Sequence, residues 1–189
     1  MLTVKPQNKI IDTVVDFLNT GGIVICPTDT VYGFLADATN KKSVEKIYKI
    51  KKRLRSKPLP IFISDIKMAK ELAEIDEKQE KIFKKYWPGK YTLILKRKKG
   101  LKLYDGAKDG IALRIPKYNF LNILLKKINK PLVQTSVNIS GKPTLTKISD
   151  IINQFDKRDI LIIDAGNLRK NKSSKILDLT KNKIEVLRK

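Results

Sequence analysis

Short apolar runs alternate with amphipathic stretches along nearly the whole chain. From Asp12 to Leu18 apolar residues fall at helical spacing, and Gly21-Gly22 then stop the helix. IVIC, Ile23 to Cys26, reads as a short buried strand that runs directly into the loop PTDTVYG. Lys41 to Leu54 follows as a helix with Val44, Ile47 and Leu54 on one face. Further strands are expected at Pro60 to Ile63, Tyr91 to Leu95, Ile111 to Ile115 and Leu132 to Ser136. Later ones fall at Ile160 to Asp164, Lys175 to Thr180 and Ile184 to Arg188. Helices fill Ile66 to Glu74, Asp76 to Tyr86, Tyr118 to Ile128 and Ile148 to Phe155. Without internal repeat or linker, this alternation predicts a single α/β or α+β domain, and strands this numerous imply a broad twisted sheet.

Composition narrows the picture. At 189 residues, 41% of them hydrophobic and 32% charged, the chain can bury and cover a substantial core. No stretch approaches the roughly 18 unbroken apolar residues of a membrane span, and the N-terminal stretch lacks a signal-peptide pattern. A single cysteine, Cys26, allows no intrachain disulfide and agrees with a reducing, cytoplasmic setting. The chain has no histidine, which excludes Ser-His-Asp triads, Cys-His pairs and His-ligated metals. Catalysis would have to rest on Lys, Arg, carboxylates, hydroxyls, backbone amides and a hard metal ion. That toolkit suits phosphate chemistry.

The formal charge of +22, 41 basic residues against 19 acidic, has two readings. It can mark an electropositive surface for nucleic acid or polyanionic small molecules. It can equally be compositional drift, since the lysines are spread along the chain. Charge alone does not choose.

Some residues break the pattern. Nine Lys/Arg and one acid, Glu45, lie between Lys41 and Lys57. On the helix, Lys51 falls on the apolar stripe, either to snorkel outward or to stay inside. Arg53, Arg55 and Lys57 follow at the turn before a strand, where several cations can hold a triphosphate. In IALRI, Arg114 shares a face with Ala112, opposite Ile111, Leu113 and Ile115. So placed, it is either a structural partner of an aspartate or a clamp for carboxylate or phosphate. Thr28, Asp29 and Thr30 in PTDTVYG, and Ser136, Asn138 and Ser140 in TSVNISG, sit after short strands. There they offer donors and acceptors to a small polar substrate, or serve as turn residues. GNLRKNKS, Gly166 to Ser173, nearly matches a phosphate loop, but Asn171 replaces the second glycine and a strand follows, so a P-loop is rejected.

Taken in order, GGIVICPTDTVYGFLADA, KIYKIKKRLRSKPLPIFI, WPGKYTLIL, IALRIP, TSVNISGKPT and SSKILDLT followed by VLR resemble the YrdC-like family of threonylcarbamoyl-AMP synthases. The matching stretches run from about Gly21 to Arg188. The resemblance implies a YrdC-like fold over residues 1–189: one twisted mixed α/β sheet flanked by helices, with a positively charged cavity and no extra C-terminal domain. It also implies a nucleotidyltransferase that condenses L-threonine, bicarbonate and ATP, with Mg²⁺, into threonylcarbamoyl-adenylate and pyrophosphate. Partner proteins would then transfer the threonylcarbamoyl group to tRNA, making t6A, and tRNA or other RNA is a further candidate partner.

By the resemblance, Thr30, Arg114, Ser136 and Ser174 face threonine. Lys51 and Arg53 hold the phosphates and carry catalysis, with Lys57, Thr135, Asn138, Thr146 and Arg188 as further nucleotide contacts. No metal ligand is assigned. Phe62 departs from the polar residue of many members and is expected to pack against substrate; Lys175 departs from the usual threonine after Ser174. Two rivals stand beside this reading: an RNA-binding protein without chemistry, and a synthase for another carbamoyl compound.

Overall fold

The computed structural model describes residues 2–155, 159–181 and 183–188. Its first half runs β1 (Leu2–Val4), a 3-10 turn (Asn8–Ile10), α1 (Ile11–Asn19), β2 (Ile23–Cys26), β3 (Gly33–Asp37), α2 (Lys41–Lys51), β4 (Ile61–Phe62), α3 (Ile66–Leu72), β5 (Ala73–Glu74) and α4 (Glu77–Tyr86). The second runs β6 (Tyr91–Arg97), β7 (Gly110–Arg114), α5 (Asn119–Ile128), β8 (Leu132–Ser136), α6 (Ile148–Phe155), β9 (Ile160–Ile163), β10 (Lys175–Asp178) and β11 (Glu185–Arg188). Among the described residues the eleven strands form one mixed sheet in the order β1-β9-β2-β3-β8-β4-β7-β6-β10-β11, with β5 beside β6.

Side chains alternate across the sheet and build a core on each face. Ile23, Ile25, Phe34, Ile61, Leu93, Leu113 and Ile162 face α2, α3, α4 and α6. Val24, Cys26, Leu35, Phe62, Leu132 and Leu161 face α1 and α5. Helix α1 earns its place by apolar spacing: Ile11, Val14 and Leu18 are all buried against that second face. The α1/α5 layer covers the β1-β9-β2-β3-β8 part of the sheet and reaches β4 through Phe62. Beyond β4, that face lies open over β7, β6 and β10, and the cavity described below occupies it.

Several expected boundaries move. Helix α2 stops at Lys51 because Lys52 takes the left-handed conformation, φ 50°, so Leu54 leaves the buried stripe and is 65% exposed. The third expected helix ends at Leu72, and Ala73–Glu74 peel off to pair with β6. The sequence reading missed β1 and β3. All five residues of β3 are buried, so Gly33–Asp37 carries no polar alternation to betray a strand. It inserts antiparallel between β2 and β8.

Candidate functional site

A cavity of about 430 Å³ opens on the bare part of the sheet. Ile94, Ala112 and Ile176 supply an apolar floor, and cross-strand register explains their company. Ile94 pairs with Ala112 and Ile176 with Thr92, and residues directly opposite one another share a face. By the same rule Arg114, opposite Phe62, and Arg188, opposite Ile176, rise from that face. The wall's ionisable residues are Arg53, Lys108, Arg114 and Arg188, so its charged groups are all cations.

Each arginine is braced by protein oxygens. Arg53 donates from Nε to Lys57 O (2.8 Å) and from Nη2 to Pro58 O (2.9 Å). Arg188 donates to Ser174 O (2.7 Å) and Ser174 Oγ (3.1 Å), and that hydroxyl shares a hydrogen bond with Thr92 Oγ1. Arg114, 1% exposed, donates from Nε to Gly89 O (3.0 Å) and from Nη2 to Asp29 Oδ1 (2.5 Å). Its guanidinium lies over the ring of Phe62 at 5.5 Å. Burial pulls all three guanidiniums below their ordinary pKa, and at Arg188 the neighbouring charges of Arg114 and Arg53 add to it. Such crowding of cations favours an anionic ligand between them.

Of the two readings of Arg114 the structure shows the pairing with an aspartate, and it also places the residue on the cavity lining. Thr30, Arg53, Thr135, Ser136, Ser174 and Arg188 join it on the wall. Thr30 is set by a turn in which Thr28 Oγ1 accepts from the amides of Thr30 and Val31 and donates to Val31 O. The other expected contacts stand off the wall. Lys57 is exposed, with its carbonyl occupied by Arg53 and Tyr48. Thr146 lies half-buried where its carbonyl accepts from Leu168 N.

Lys51 is buried, 2% exposed, which decides against snorkelling. Its ammonium donates to Ser136 O (2.5 Å), Asn138 O (2.9 Å) and Asn138 Oδ1 (2.8 Å), and Ser136 Oγ donates to the same Oδ1. Lys51 and Asn138 thus stand behind the wall and hold Ser136 in it. Phe62 is fully buried and packs beneath Arg114, which overturns the expectation that it packs against substrate.

Lys108, Gln134 and Ser173 also line the cavity without having been singled out. Gln134 sits on β8 between Val133 and Thr135, and strand alternation could have flagged it. Lys108 lies in a lysine-rich loop where nothing distinguished it from its neighbours.

The fold and the sequence both have known counterparts. A Methanocaldococcus jannaschii protein assigned provisionally as a threonylcarbamoyl-AMP synthase is 36% identical over 187 residues, 99% of this chain and 88% of that one. A Pyrococcus abyssi Sua5 structure complexed with L-threonine superposes with a TM-score of 0.90 at 32% identity, covering 99% of this chain but 56% of that longer one. Escherichia coli YciO superposes with a TM-score of 0.88 at 25% identity, covering 100% of this chain and 94% of YciO. The profile for Sua5, YciO and YrdC proteins, described as "Telomere recombination", matches residues 16–189. With the family's sequence pattern and its fold both spanning the chain, this protein belongs to the Sua5/YciO/YrdC family.

Proposed function

We propose that this chain is an L-threonylcarbamoyladenylate synthase, a nucleotidyltransferase that acts on L-threonine, bicarbonate and ATP. The observation that carries the reading is the cavity wall, where Arg53, Arg114 and Arg188 stand with Thr30, Ser136 and Ser174 and which no carboxylate lines, Asp29 meeting Arg114 from behind it. Such a wall suits a substrate pair bearing a carboxylate, a hydroxyl and phosphates, and the provisional activity of the Methanocaldococcus relative and the L-threonine complex of Sua5 support it.

In this reading Arg114 takes the threonine carboxylate, with Thr30 and Ser174 nearby for its hydroxyl. Arg53, Arg188 and Lys108 take the phosphates, and the apolar floor of Ile94, Ala112 and Ile176 takes the adenine. The amine of threonine attacks bicarbonate carbon; a C–N bond forms, and hydroxide leaves with an amine proton as water. A carbamate oxygen then attacks the α-phosphorus of ATP. The bond to the bridging oxygen breaks, and pyrophosphate leaves. The protein's contribution is to orient both substrates and neutralise their charge.

The chain offers Mg²⁺ no cage: no group of three or more acidic or cysteine side chains gathers among the described residues, and the wall holds no carboxylate. The metal belongs to this scheme as part of the Mg·ATP substrate. The adenylate is a reactive mixed anhydride, to be consumed by proteins that transfer its threonylcarbamoyl group to tRNA in the cytoplasm. Among the described residues no helix is long and apolar enough to cross a membrane.

The test is pyrophosphate release from ATP with bicarbonate and Mg²⁺, with and without L-threonine. Threonine-dependent release is expected, and Arg53→Ala is expected to lower it about a hundredfold with the melting temperature retained. Release that ignores threonine, or that serine or another amino acid drives equally well, would move the assignment to a different acceptor. Folded protein that binds RNA but releases no pyrophosphate would move it to a binding protein.

A further inference from the structure

Asp29 belongs to no part of the scheme above, yet it is the acid that meets Arg114. Its carboxylate is used on both oxygens: Oδ1 accepts from Arg114 Nη2, and Oδ2 accepts from the amide of Lys117 (3.1 Å). Its side chain is 7% exposed, and it is absent from the cavity wall. Three loops therefore meet at one guanidinium. The loop after β2 brings Asp29, the loop before β6 brings the carbonyl of Gly89, and the loop after β7 is tied in through Lys117 N. The ring of Phe62 closes the remaining side at 5.5 Å.

The consequence is geometric. A free guanidinium offers five N–H donors and can present either of two forked edges to a carboxylate. Here Nε is spent on Gly89 and Nη2 on Asp29, so the Nε/Nη2 edge is closed. Among the described residues Nη1 has no acceptor, and it does not count among the buried polar atoms left without a partner. We propose that Asp29 is a positioning residue that turns Arg114 so that its Nη1 end faces the cavity as the seat of a ligand carboxylate, the Lys117 amide holding Asp29 in turn. This rests on the threonine reading above and adds to it the group that sets the direction of the clamp.

Two variants and calorimetry with L-threonine, then separately with ATP, test this. Asp29→Ala is expected to weaken threonine at least about tenfold, the weight of one charge-assisted hydrogen bond, while ATP affinity stays within about twofold of the parent. Asp29→Asn keeps a carbonyl oxygen for Nη2 but sets its NH2, a donor, against the amide of Lys117. It is therefore expected to weaken threonine by at least about threefold, though less than Asp29→Ala does. It carries the test should the alanine variant fail to fold with Arg114 buried and unpaired. Equal losses for threonine and ATP would mean general damage and overturn the role. Full threonine affinity in folded Asp29→Ala would overturn it too. Parent-like threonine affinity in folded Asp29→Asn would do the same, because the charge and the Lys117 tie would both be gone without effect. If the parent protein binds no threonine, the substrate reading falls and takes this role with it; binding unchanged across the variants sinks the positioning role alone.

Discussion

An ammonium group has three protons, and Lys51 has three oxygens waiting for them on Ser136 and Asn138. An ammonium so engaged has no proton left over for a ligand, so Lys51 acts on the cavity through the loop it holds. The backbone strengthens the tie: Ser140 N donates to Lys51 O, joining the same loop to the end of α2. Burial, and after it the charge of Arg53, bring the Lys51 pKa down to about 7 from an ordinary 10.5. Below about 7 both the folded and the unfolded chain carry the proton; between there and 10.5 only the unfolded chain does. Because the unfolded state binds more protons in that window, this group makes folding more favourable as pH rises through it. Lys51→Met removes the titration. The melting temperature of the parent minus that of Lys51→Met is therefore expected to grow between pH 6 and pH 10. A difference that stays flat over that range would show that the ammonium is not held at a depressed value. Arg53 is two residues away, and the left-handed Lys52 between them lets one side chain enter the core while the next reaches the cavity.

Among the elements, the connection between β6 and β7 does much to shape the cavity, since it supplies Ala107 and Lys108 and leads into Gly110 at the start of β7. Its anchor is a buried ion pair, Arg97 to Asp105 at 2.7 Å, with the two side chains 9% and 1% exposed. The carbonyl of Asp105 also accepts from Tyr48 Oη and Leu59 N, which pins the connection to α2 and to the segment that braces Arg53. Gly106 follows at φ +86°, and a Cβ there would sit 2.5 Å from Tyr48 Oη. Asp105→Ala leaves Arg97 buried without its partner and is expected to cost about 3–5 kcal/mol of stability, measured by urea unfolding. A loss under about 1 kcal/mol would mean that water reaches the site and the pair is no anchor. None of this was legible in the sequence: the pair of Arg97 with Asp105, eight positions apart, looks like any other opposite charges in a charged loop, and the ties to Tyr48 and Leu59 reach back about fifty positions. What was legible had a local signature. Strand β7 showed its alternation, so Arg114 stood out on the correct face, and α2 showed its stripe, so Lys51 did too. Strand β3 showed nothing, being covered on both sides, and the end of α2 was misplaced because a left-handed lysine carries no sign in the sequence.

At the scale of the molecule, the cavity exists because helices α1 and α5 are too few to cover their face of so wide a sheet. The bare floor then needs a far wall, and the edge strand β11 provides it by hydrogen bonding antiparallel to β10 and delivering Arg188. Every residue of β11 is exposed, and Ile184, Val186 and Leu187 keep about half their surface in water (48%, 52% and 51%). Little apolar area is buried by this strand, so little of the fold's stability depends on it. Its removal should act on the ligand instead. A chain ending at residue 183 loses Arg188 and with it the donor pair that fixes Ser174. Such a chain is expected to melt within a few degrees of the parent, yet to bind ATP at least about tenfold more weakly, as one lost charge-assisted contact requires. Full-length Arg188→Ala should reproduce the loss, because the strand matters through the one side chain it carries to the wall. If the truncated chain unfolds while Arg188→Ala melts like the parent, β11 is a structural edge that happens to pass the cavity. If both variants bind ATP as the parent does, the phosphates lie on the Arg53 and Lys108 side alone, and the far wall closes the cavity without touching them.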